Sequence, residues 1–490
     1  MIVNIDGEIN LSYVQNLCLI FFPGAKFSQN EEMSEETPVL DLKVETTESG
    51  CYAKAKMSVG DKSAESEYFA EPKPMYTEER MAKIAVGTAM YNCGCQLLNY
   101  RPPWGILTGI RPAKVAWSLY SDLETKTATK KTLSSDYLLS PKKAQLATNI
   151  AVFENKLLSK FPYDTCSLYV SIPFCPTRCA YCSFVSYSTK RLLSMIPEYL
   201  ERLFVDIKRT VELIKQKGQR IVTIYIGGGT PTTLNEVELE SLLSCIAENV
   251  DLGGVIEYTL EAGRPDTLTK EKLHVASRYG VTRISVNPQT MNDDILKGIG
   301  RKHTAADFLA AYEMARQESD LSINTDIIAG LPGDNFASFA KTVDTIVALN
   351  PEAVTVHTFF AKKASDIVHS GINVYSRNNA EAVKCVDYSQ VVLSGAAYRP
   401  YYIYRQKNTV GNLENVGFCL EGKHGYYNSL IMSDRHNIYA VGAGGSTKLV
   451  TKDGDIKRFY VPKYPYEYLE IGAEGEKMRT MYEEMLKFGN

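Results

Sequence analysis

Six short apolar segments follow one another through the middle of the chain. They span residues 168–172, 222–226, 258–260, 283–286, 324–328 and 354–357. Amphipathic stretches separate them, and in the first stretch one helical stripe carries Leu200, Leu203, Phe204, Ile207, Val211 and Ile214. This alternation is typical of βαβ units with a parallel sheet. Six units do not close an eight-stranded barrel, so the pattern predicts an α/β fold with an open, partial (β/α)6 barrel.

The sequence on either side of these units has a different texture. Apolar and charged residues alternate over 40–44 and 53–57, which predicts strands, and a helix is expected from an N-cap at Thr77 to about residue 98. The acidic run 31–36 predicts a solvated loop, the polar stretch 124–135 predicts a linker, and Pro141 is expected to open a further helix.

Three regions therefore divide the chain. We expect an N-terminal extension over residues 1–160, β-rich at first and then helical, and a partial barrel over residues 161–375. Residues 376–490 lack the alternation and predict a smaller mixed module that covers the open side of the barrel. A length of 490 residues agrees with more than one folded unit.

Charge and cysteine usage narrow the class of protein. A net charge of −3 gives no electrostatic reason to expect nucleic acid or an anionic membrane surface as a partner, and no apolar stretch is long enough for a bilayer. No signal peptide is expected, because Asp6 and Glu8 precede the first apolar run. Eleven cysteines in a long chain do not resemble a disulfide framework, which favours a reducing cytoplasm.

The first strand leads into a loop with three closely spaced cysteines. Cys175, Cys179 and Cys182 have the spacing C-x3-C-x2-C. Three thiolates on one short loop can hold three corners of a [4Fe–4S] cluster and leave the fourth iron open to another ligand. The spacing alone also allows three reduced cysteines, or three of four zinc ligands with Cys166 as the close upstream candidate for the fourth.

Polar residues and glycines mark the ends of the other predicted strands. In strand order they are Gly227, Gly228, Gly229, Thr230, Glu261, Arg264, Asn287, Gln289, Arg301, Asn324, Asp326, His357 and Thr358. Glycine lets a ligand approach the backbone, and a carboxylate accepts hydrogen bonds from a hydroxyl or an ammonium group. Taken singly, these residues also suit a tight turn, a salt bridge or a structural histidine. Barrels place their chemistry at the C-terminal strand ends, so their shared position favours a binding site.

Together these motifs resemble the radical S-adenosylmethionine (SAM) superfamily. The resemblance rests on the cysteine loop with Tyr181 before the third cysteine and on the sequence Gly-Gly-Gly-Thr-Pro. The segments YVSIPFC, GGGTPTTL, Gln289 to Arg301 and NTDIIAGLPG are similar to the oxygen-independent coproporphyrinogen III oxidase (coproporphyrinogen dehydrogenase) family. The N-terminal extension and RQKNTVGNLENVG resemble its HemZ-like branch.

The resemblance implies two cofactors and the residues that bind them. Cys175, Cys179 and Cys182 would ligate a [4Fe–4S] cluster, while Gly228, Gly229 and Thr230 would hold the amino group and backbone of SAM. Tyr181 would pack near the adenine. Further SAM-contacting positions of the family match Tyr169, Glu261, Gln289, Arg301, Asp326 and Thr358.

The family also implies a reaction. Reductive cleavage of SAM would lead to abstraction of hydrogen from a propionate, and loss of CO2 would turn coproporphyrinogen III into protoporphyrinogen IX in heme biosynthesis. The partners would be an anionic tetrapyrrole and a reducing electron donor protein. Arg405, Lys407, Lys362 and Lys363 are expected to form a basic rim for the propionates.

Two positions depart from the family pattern. Phe184 stands where the best-known members carry a further cysteine, and Ser171 stands where the family usually has a histidine. The same Cys-x-Phe pattern occurs in heme-chaperone relatives. The alternatives are therefore a heme carrier on the same fold, for which His424, His436 and Cys419 are the available axial ligands, or another tetrapyrrole-directed radical SAM enzyme.

Overall fold

A computed structural model describes residues 1–27, 36–182, 188–360, 380–406 and 409–489 of the chain. Its strands are β1 Ile2–Asp6, β2 Val39–Thr47, β3 Gly50–Val59, β4 Lys62–Ala70, β5 Thr165–Ile172, β6 Arg220–Gly228, β7 Glu257–Glu261, β8 Arg283–Ser285, β9 Ser322–Ala329, β10 Ala353–Thr358, β11 Arg399–Arg405, β12 Glu414–Cys419, β13 Asn437–Val441, β14 Ser446–Val450 and β15 Ile456–Tyr460.

The helices connect and cover these strands. They are α1 Leu11–Phe21, α2 Glu78–Leu98, α3 Pro112–Leu123, α4 Lys126–Ser135, α5 Pro141–Leu158, α6 Lys190–Leu193, α7 Ile196–Gln216, α8 Glu236–Asn249, α9 Lys270–Arg278, α10 Asp293–Gly298, α11 Ala305–Glu318, α12 Phe336–Leu349, α13 Ala380–Gly395, α14 Tyr426–Met432, α15 Pro465–Ile471 and α16 Glu476–Lys487. In this part of the chain no helix combines the length and the apolar character that crossing a bilayer requires.

A four-stranded sheet begins the chain, in the order β1-β2-β3-β4. The strand prediction is confirmed, because Leu40, Leu42 and Val44 are buried while the residues between them are exposed. The buried face packs against α2, whose N-cap is Thr77 as predicted. The acidic run 31–36 lies almost entirely outside the described residues.

The expectation of a linker over residues 124–135 is wrong. Residues Lys126–Ser135 form a helix that Thr125 caps, accepting a hydrogen bond from the Ala128 N–H. The helix packs against α3 and α5 and buries only Thr129 and Leu133. With so few apolar positions its stability comes from tertiary packing, which a local pattern does not report.

Six parallel strands, β5 to β10, form the centre of the second sheet in chain order. The neighbouring pairs are all parallel, which confirms the predicted barrel strands. The predicted fourth segment ends one residue beyond β8, and the other five lie inside observed strands. The C-terminal ends of these strands therefore meet along one edge of the sheet.

The C-terminal residues continue this sheet on both sides. β12 pairs antiparallel with β10 and carries β11 beyond it, whereas β13 pairs parallel with β5 and carries β14 and β15. The whole sheet has the order β11-β12-β10-β9-β8-β7-β6-β5-β13-β14-β15. Since residues on both sides of position 375 share one sheet, the three-part division of the chain is kept only as a proposal.

A buried ion pair joins the N-terminal helices to β12. Lys143 Nζ lies 2.6 Å from Glu414 Oε1, and the two side chains are 2% and 0% exposed. Glu414 also accepts hydrogen bonds from Trp104 Nε1 at 2.7 Å and from Gln390 Nε2 at 2.7 Å. These donors satisfy both carboxylate oxygens, as a buried charge requires.

Candidate active site

A cavity of about 500 Å³ opens at the C-terminal ends of the barrel strands. All thirteen residues that the resemblance assigns to the cluster or to SAM contribute to its lining, namely Tyr169, Cys175, Cys179, Tyr181, Cys182, Gly228, Gly229, Thr230, Glu261, Gln289, Arg301, Asp326 and Thr358. The structure thus brings together residues that are far apart in the chain, as expected for strand ends of a parallel sheet.

Glycines of the second strand end seat the cysteine loop. The Gly229 N–H donates to Ile172 O at 2.8 Å, and the Thr230 N–H donates to Phe174 O at 2.7 Å. A β-carbon on Gly229 would lie 2.5 Å from Phe174 O, and Gly228 has a φ of +109°. The backbone of the cysteine loop therefore occupies the place where a side chain at position 229 would lie. Gly229 also lines the cavity.

Gly229→Ala is expected to lower the free energy of unfolding by about 1–3 kcal/mol, because the new methyl group overlaps a backbone oxygen and the cysteine loop must shift. Gly298→Ala, in the nearby helix α10, is the matched control, since a β-carbon there meets no atom within 4 Å. Urea unfolding of both variants measures the difference, and equal stabilities would refute this account of Gly229.

Cys175 and Cys179 contact polar side chains from neighbouring strand ends. Cys175 Sγ lies 3.2 Å from Thr230 Oγ1, and Arg264 Nη2 donates to Cys179 Sγ at 2.9 Å. Donors at sulfur suit thiolates, the form in which cysteine binds metals. Within the described ranges no three Cys, His, Asp or Glu side chains are grouped to share a single metal ion. A cubane binds each thiolate to a different iron, so its ligands stand farther apart.

Cys166 does not complete a zinc site with this loop. It is buried on β5, with its Sγ 3.6 Å from Arg220 O, and it pairs with Ile221 and Asn437. Ile172, where the strand ends, is six residues further on, which is about 20 Å at the rise of an extended strand. The close candidate for a fourth zinc ligand thus lies at the wrong end of the strand.

Glu261 has a carboxyl group with an unusual proton affinity. Burial raises its pKa to about 7; the Tyr225 hydroxyl, which donates to Glu261 Oε1, opposes this rise and the nearby Asp326 adds to it. Tyr225 was not predicted, although it pairs in register with Tyr169 and so shares its face of the sheet. That pairing was the signal that could have identified it.

Asp326 is held by two amides and faces a histidine. Asn287 Nδ2 donates to Asp326 Oδ2 at 3.0 Å and Asn324 Nδ2 donates to Oδ1 at 2.9 Å. His357 Nε2 lies 3.8 Å from Asp326 Oδ2, and His357 Nδ1 lies 3.1 Å from the Tyr404 hydroxyl. Asp326, His357 and Tyr404 all line the cavity. His357, left open by the sequence, thus belongs to the wall of the site.

The remaining predicted residues form parts of the cavity wall. Arg301 donates to Gly263 O at 3.0 Å and to the Tyr181 hydroxyl at 3.2 Å. The Gln289 N–H donates to Asp326 O at 3.1 Å, and Gln289 has a φ of +68°. The Thr358 hydroxyl donates to Glu414 O at 2.7 Å, so backbone already engages that hydroxyl.

Helix α14 adds residues that no sequence signal indicated. Tyr427 and Asn428 line the cavity, and the ring of Tyr427 stacks on Tyr225 with 4.4 Å between centroids. Glu257, at the start of β7, accepts the Tyr426 and Tyr427 N–H groups at 2.9 Å each. The helix is thereby fixed against the barrel.

The prediction that Arg405 belongs to an exposed basic rim is wrong. Its side chain is buried, donates to Leu107 O and to Asn412 O, and lies over the Trp104 ring. From the sequence, a charged residue on a strand is expected to face solvent. Here residues of the N-terminal extension, Trp104 and Leu107, cover Arg405. Lys362, Lys363, Lys407 and Phe184 lie outside the described residues.

The three candidate axial ligands lie outside the cavity wall. Cys419 and His436 are buried, and His436 Nε2 lies 2.9 Å from Ser167 Oγ. Burial lowers the pKa of His436 to about 3, so it stays neutral. His424 packs its ring against Tyr426 and Phe153. All three therefore act as packing residues in this structure.

Comparison with known proteins identifies the family. The family model of the Radical SAM superfamily matches residues 169–346. The oxygen-independent coproporphyrinogen-III oxidase-like protein HemZ of Bacillus subtilis is 33% identical over 467 residues, which cover 93% of this chain and 92% of HemZ. The heme chaperone HemW of Bacillus subtilis is 34% identical over 197 residues, 40% of this chain and 51% of HemW.

A solved structure supports the fold. Coproporphyrinogen III oxidase HemN of Escherichia coli superimposes with a TM-score of 0.52 at 19% identity, covering 66% of this chain and 71% of HemN. Radical SAM proteins use a [4Fe–4S] cluster and SAM, and these are the cofactors of the chain. The chain belongs to the radical SAM superfamily, in the family of oxygen-independent coproporphyrinogen-III oxidase-like proteins that includes HemZ.

Proposed function

We propose that this protein oxidatively decarboxylates coproporphyrinogen III to protoporphyrinogen IX without oxygen. The observation that carries the proposal is the single cavity in which the cysteine loop meets the polar ends of six parallel strands. The full-length similarity to HemZ supports this substrate class. An electron donor protein and a cytoplasmic location belong to the same proposal.

The donor set fits the two cofactors. Cys175, Cys179 and Cys182 line one cavity, form no disulfide, and would hold the cluster. The residues that would hold SAM are Tyr169, Tyr181, Gly228, Gly229, Thr230, Glu261, Gln289, Arg301, Asp326 and Thr358. When both are bound they supply one-electron, hydrogen-abstracting chemistry.

In this proposal the chain's own residues bind and orient the cofactors. The carboxylates of Glu261 and Asp326 accept hydrogen bonds from cationic or hydroxyl groups, and each is already oriented by neighbouring donors. Tyr169, Tyr225 and Tyr427 stack on one another and line the same cavity. They form an aromatic part of the cavity wall beside Glu261, to which Tyr225 donates.

The affinity for SAM is expected to fall by no more than about 10-fold when the pH is lowered from 7.5 to 6. The reason is that the Glu261 carboxyl, with a pKa of about 7, takes up a proton over this interval. A neutral carboxyl is a weaker acceptor for the hydroxyl and cationic groups of SAM. Isothermal titration of the anaerobic protein measures the affinity. Glu261→Gln should bind SAM more weakly and with a flatter pH profile; a profile as steep as that of the wild type would assign the titration to another group.

Anaerobic reconstitution tests the proposed reaction directly. The protein is loaded with iron and sulfide and incubated with SAM, a low-potential reductant and coproporphyrinogen III. Protoporphyrinogen IX, a mono-vinyl intermediate and stoichiometric 5′-deoxyadenosine are the expected products. Cleavage of SAM without a vinyl product would instead indicate another tetrapyrrole-directed radical SAM enzyme.

A heme carrier is the second candidate, favoured by the similarity to HemW over 197 residues and by Phe184 in the Cys-x-Phe pattern. Tight binding of hemin without decarboxylation would support it. The geometry argues for the enzyme first, because His424, His436 and Cys419 do not line the cavity and His436 is engaged with Ser167.

A further inference from the structure

Arg264 is a buried cation in contact with a predicted cluster ligand. Its side chain follows β7 and is almost completely buried, with the residue 2% exposed. Nη2 donates to Cys179 Sγ at 2.9 Å and to Thr177 O at 2.7 Å, and Nη1 donates to Thr177 Oγ1 at 2.5 Å. The fork of one guanidinium thus spans the loop backbone and the sulfur.

No carboxylate pairs directly with the charge of Arg264. Among the described residues none forms an ion pair with it within 4.0 Å, although Glu261 stands three residues before it and Asp266 lies near enough to act on the neighbouring Arg301 and His303. Its guanidinium donates hydrogen bonds to a carbonyl, a hydroxyl and the Cys179 sulfur. Because buried cations are costly unless paired, the sulfur in its thiolate form is the natural counter-charge.

We propose that Arg264 raises the reduction potential of the cluster. Reduction adds one electron, and therefore one negative charge, to the metal centre. A fixed positive charge stabilises the reduced state more than the oxidised state, and it acts strongly where water is excluded. Hydrogen bonds to ligand sulfurs are an established control of iron–sulfur potentials. Arg264 thereby makes the cluster easier to reduce by an external one-electron donor.

The contact of Thr230 with Cys175 provides a comparison for the effect of Arg264. Thr230 Oγ1 lies 3.2 Å from Cys175 Sγ, but a hydroxyl carries no net charge. Hydrogen bonds from charged donors are roughly twice as strong as neutral ones. The guanidinium at Cys179 is therefore the larger of these two influences on the potential.

Arg264 has a second consequence, since its contacts with Thr177 also hold the loop. A role limited to holding the loop would alter how much cluster the protein binds, while leaving the potential of the bound cluster unchanged. Thr177→Val separates the two effects, because it removes the Thr177 hydroxyl contact and keeps the contact between Arg264 and sulfur.

The test compares wild type, Arg264→Lys, Arg264→Gln and Thr177→Val after anaerobic reconstitution. Iron and sulfide contents are measured first, and midpoint potentials then come from redox titration followed by electron paramagnetic resonance. Arg264→Gln is expected to shift the midpoint to more negative potential, Arg264→Lys to an intermediate value, and Thr177→Val to leave it at the wild-type value.

A wild-type midpoint in Arg264→Gln would overturn the inference. Should that variant hold too little cluster to titrate, Arg264→Met decides, because it is also neutral but keeps a long unbranched side chain that fills the same buried space. An unshifted midpoint in Arg264→Met would then overturn the inference, whereas Arg264→Lys keeps the positive charge and cannot by itself refute it. It rests on the proposed cluster site: wild-type protein without iron would refute both, whereas a cluster-bearing protein that makes no vinyl product would refute the reaction alone.

Discussion

Cys182→Ala is expected to bind little iron after reconstitution and to lose SAM cleavage and decarboxylation below detection. Removal of one thiolate leaves two cysteines for a cluster that depends on three, and no further cysteine follows within the described part of the loop. The loss of activity should be larger than the loss of about 10–100-fold that is typical when a residue hydrogen-bonded to a metal ligand is removed. Cys182 is only partly buried, so the fold should survive.

Cys166→Ala is the matched control for this experiment. Cys166 lies on the same strand that leads into the loop, but at its opposite end. The control should retain wild-type iron content and activity, with a modest loss of stability. Metal analysis and the absorption of the cluster measure both variants. Full iron in Cys182→Ala, or loss of metal from Cys166→Ala, would contradict the assignment of ligands.

Lys143→Met is expected to lower the free energy of unfolding by about 3–5 kcal/mol, because it leaves the carboxylate of Glu414 buried without its ion-pair partner. Adding Glu414→Gln should restore part of this loss, since the amide is neutral and its single oxygen still accepts from Trp104 or from Gln390, which donate to different oxygens of the glutamate. Urea unfolding of the single and double variants gives the coupling energy.

The adjacent Lys142 provides the control for Lys143. Lys142 is 66% exposed and pairs with the partly exposed Asp387, so Lys142→Met should cost no more than about 1 kcal/mol. Equal losses for the two lysines would show that burial of the Lys143–Glu414 pair does not determine its contribution.

The same pair predicts how stability depends on pH. Burial alone would raise the pKa of Glu414, but Lys143, Trp104 and its own backbone hold that pKa below the ordinary value. Because the folded-state pKa is lowered, this contribution is present above the unfolded-state value of about 4.3 and is lost as pH falls through the folded-state value. The loss on acidification should be smaller in Lys143→Met.

The local pattern was sufficient for the barrel strands and insufficient for their neighbours. The six parallel strands are short apolar runs between amphipathic helices, so their positions could be predicted, although the predicted segments are mostly shorter than the strands and one extends a residue past β8. The pairing of β12 with β10 and of β13 with β5 depends on contacts between distant residues. Arg405 likewise could not be placed, because its burial depends on the N-terminal segment that covers it.

The candidate site was predictable in its membership more than in its interactions. The predicted residues line one cavity because they end parallel strands, a rule that needs only their order in the chain. Three interactions could be found only from coordinates. They are the hydrogen bond from Tyr225 to Glu261, the contact of Arg264 with Cys179, and the stacking of Tyr427 on Tyr225. These contacts, made across elements, decide the proton affinity and the charge of the site.

The strand beneath the cysteine loop is bordered on both sides. β5 pairs with β6 along one side and with β13 along the other, so neither of its edges is free. Backbone that is paired on both sides exchanges its amide hydrogens slowly and resists fraying. We expect a molecule stripped of iron by air to keep this foundation intact. Reloading with iron and sulfide then requires no refolding of this strand.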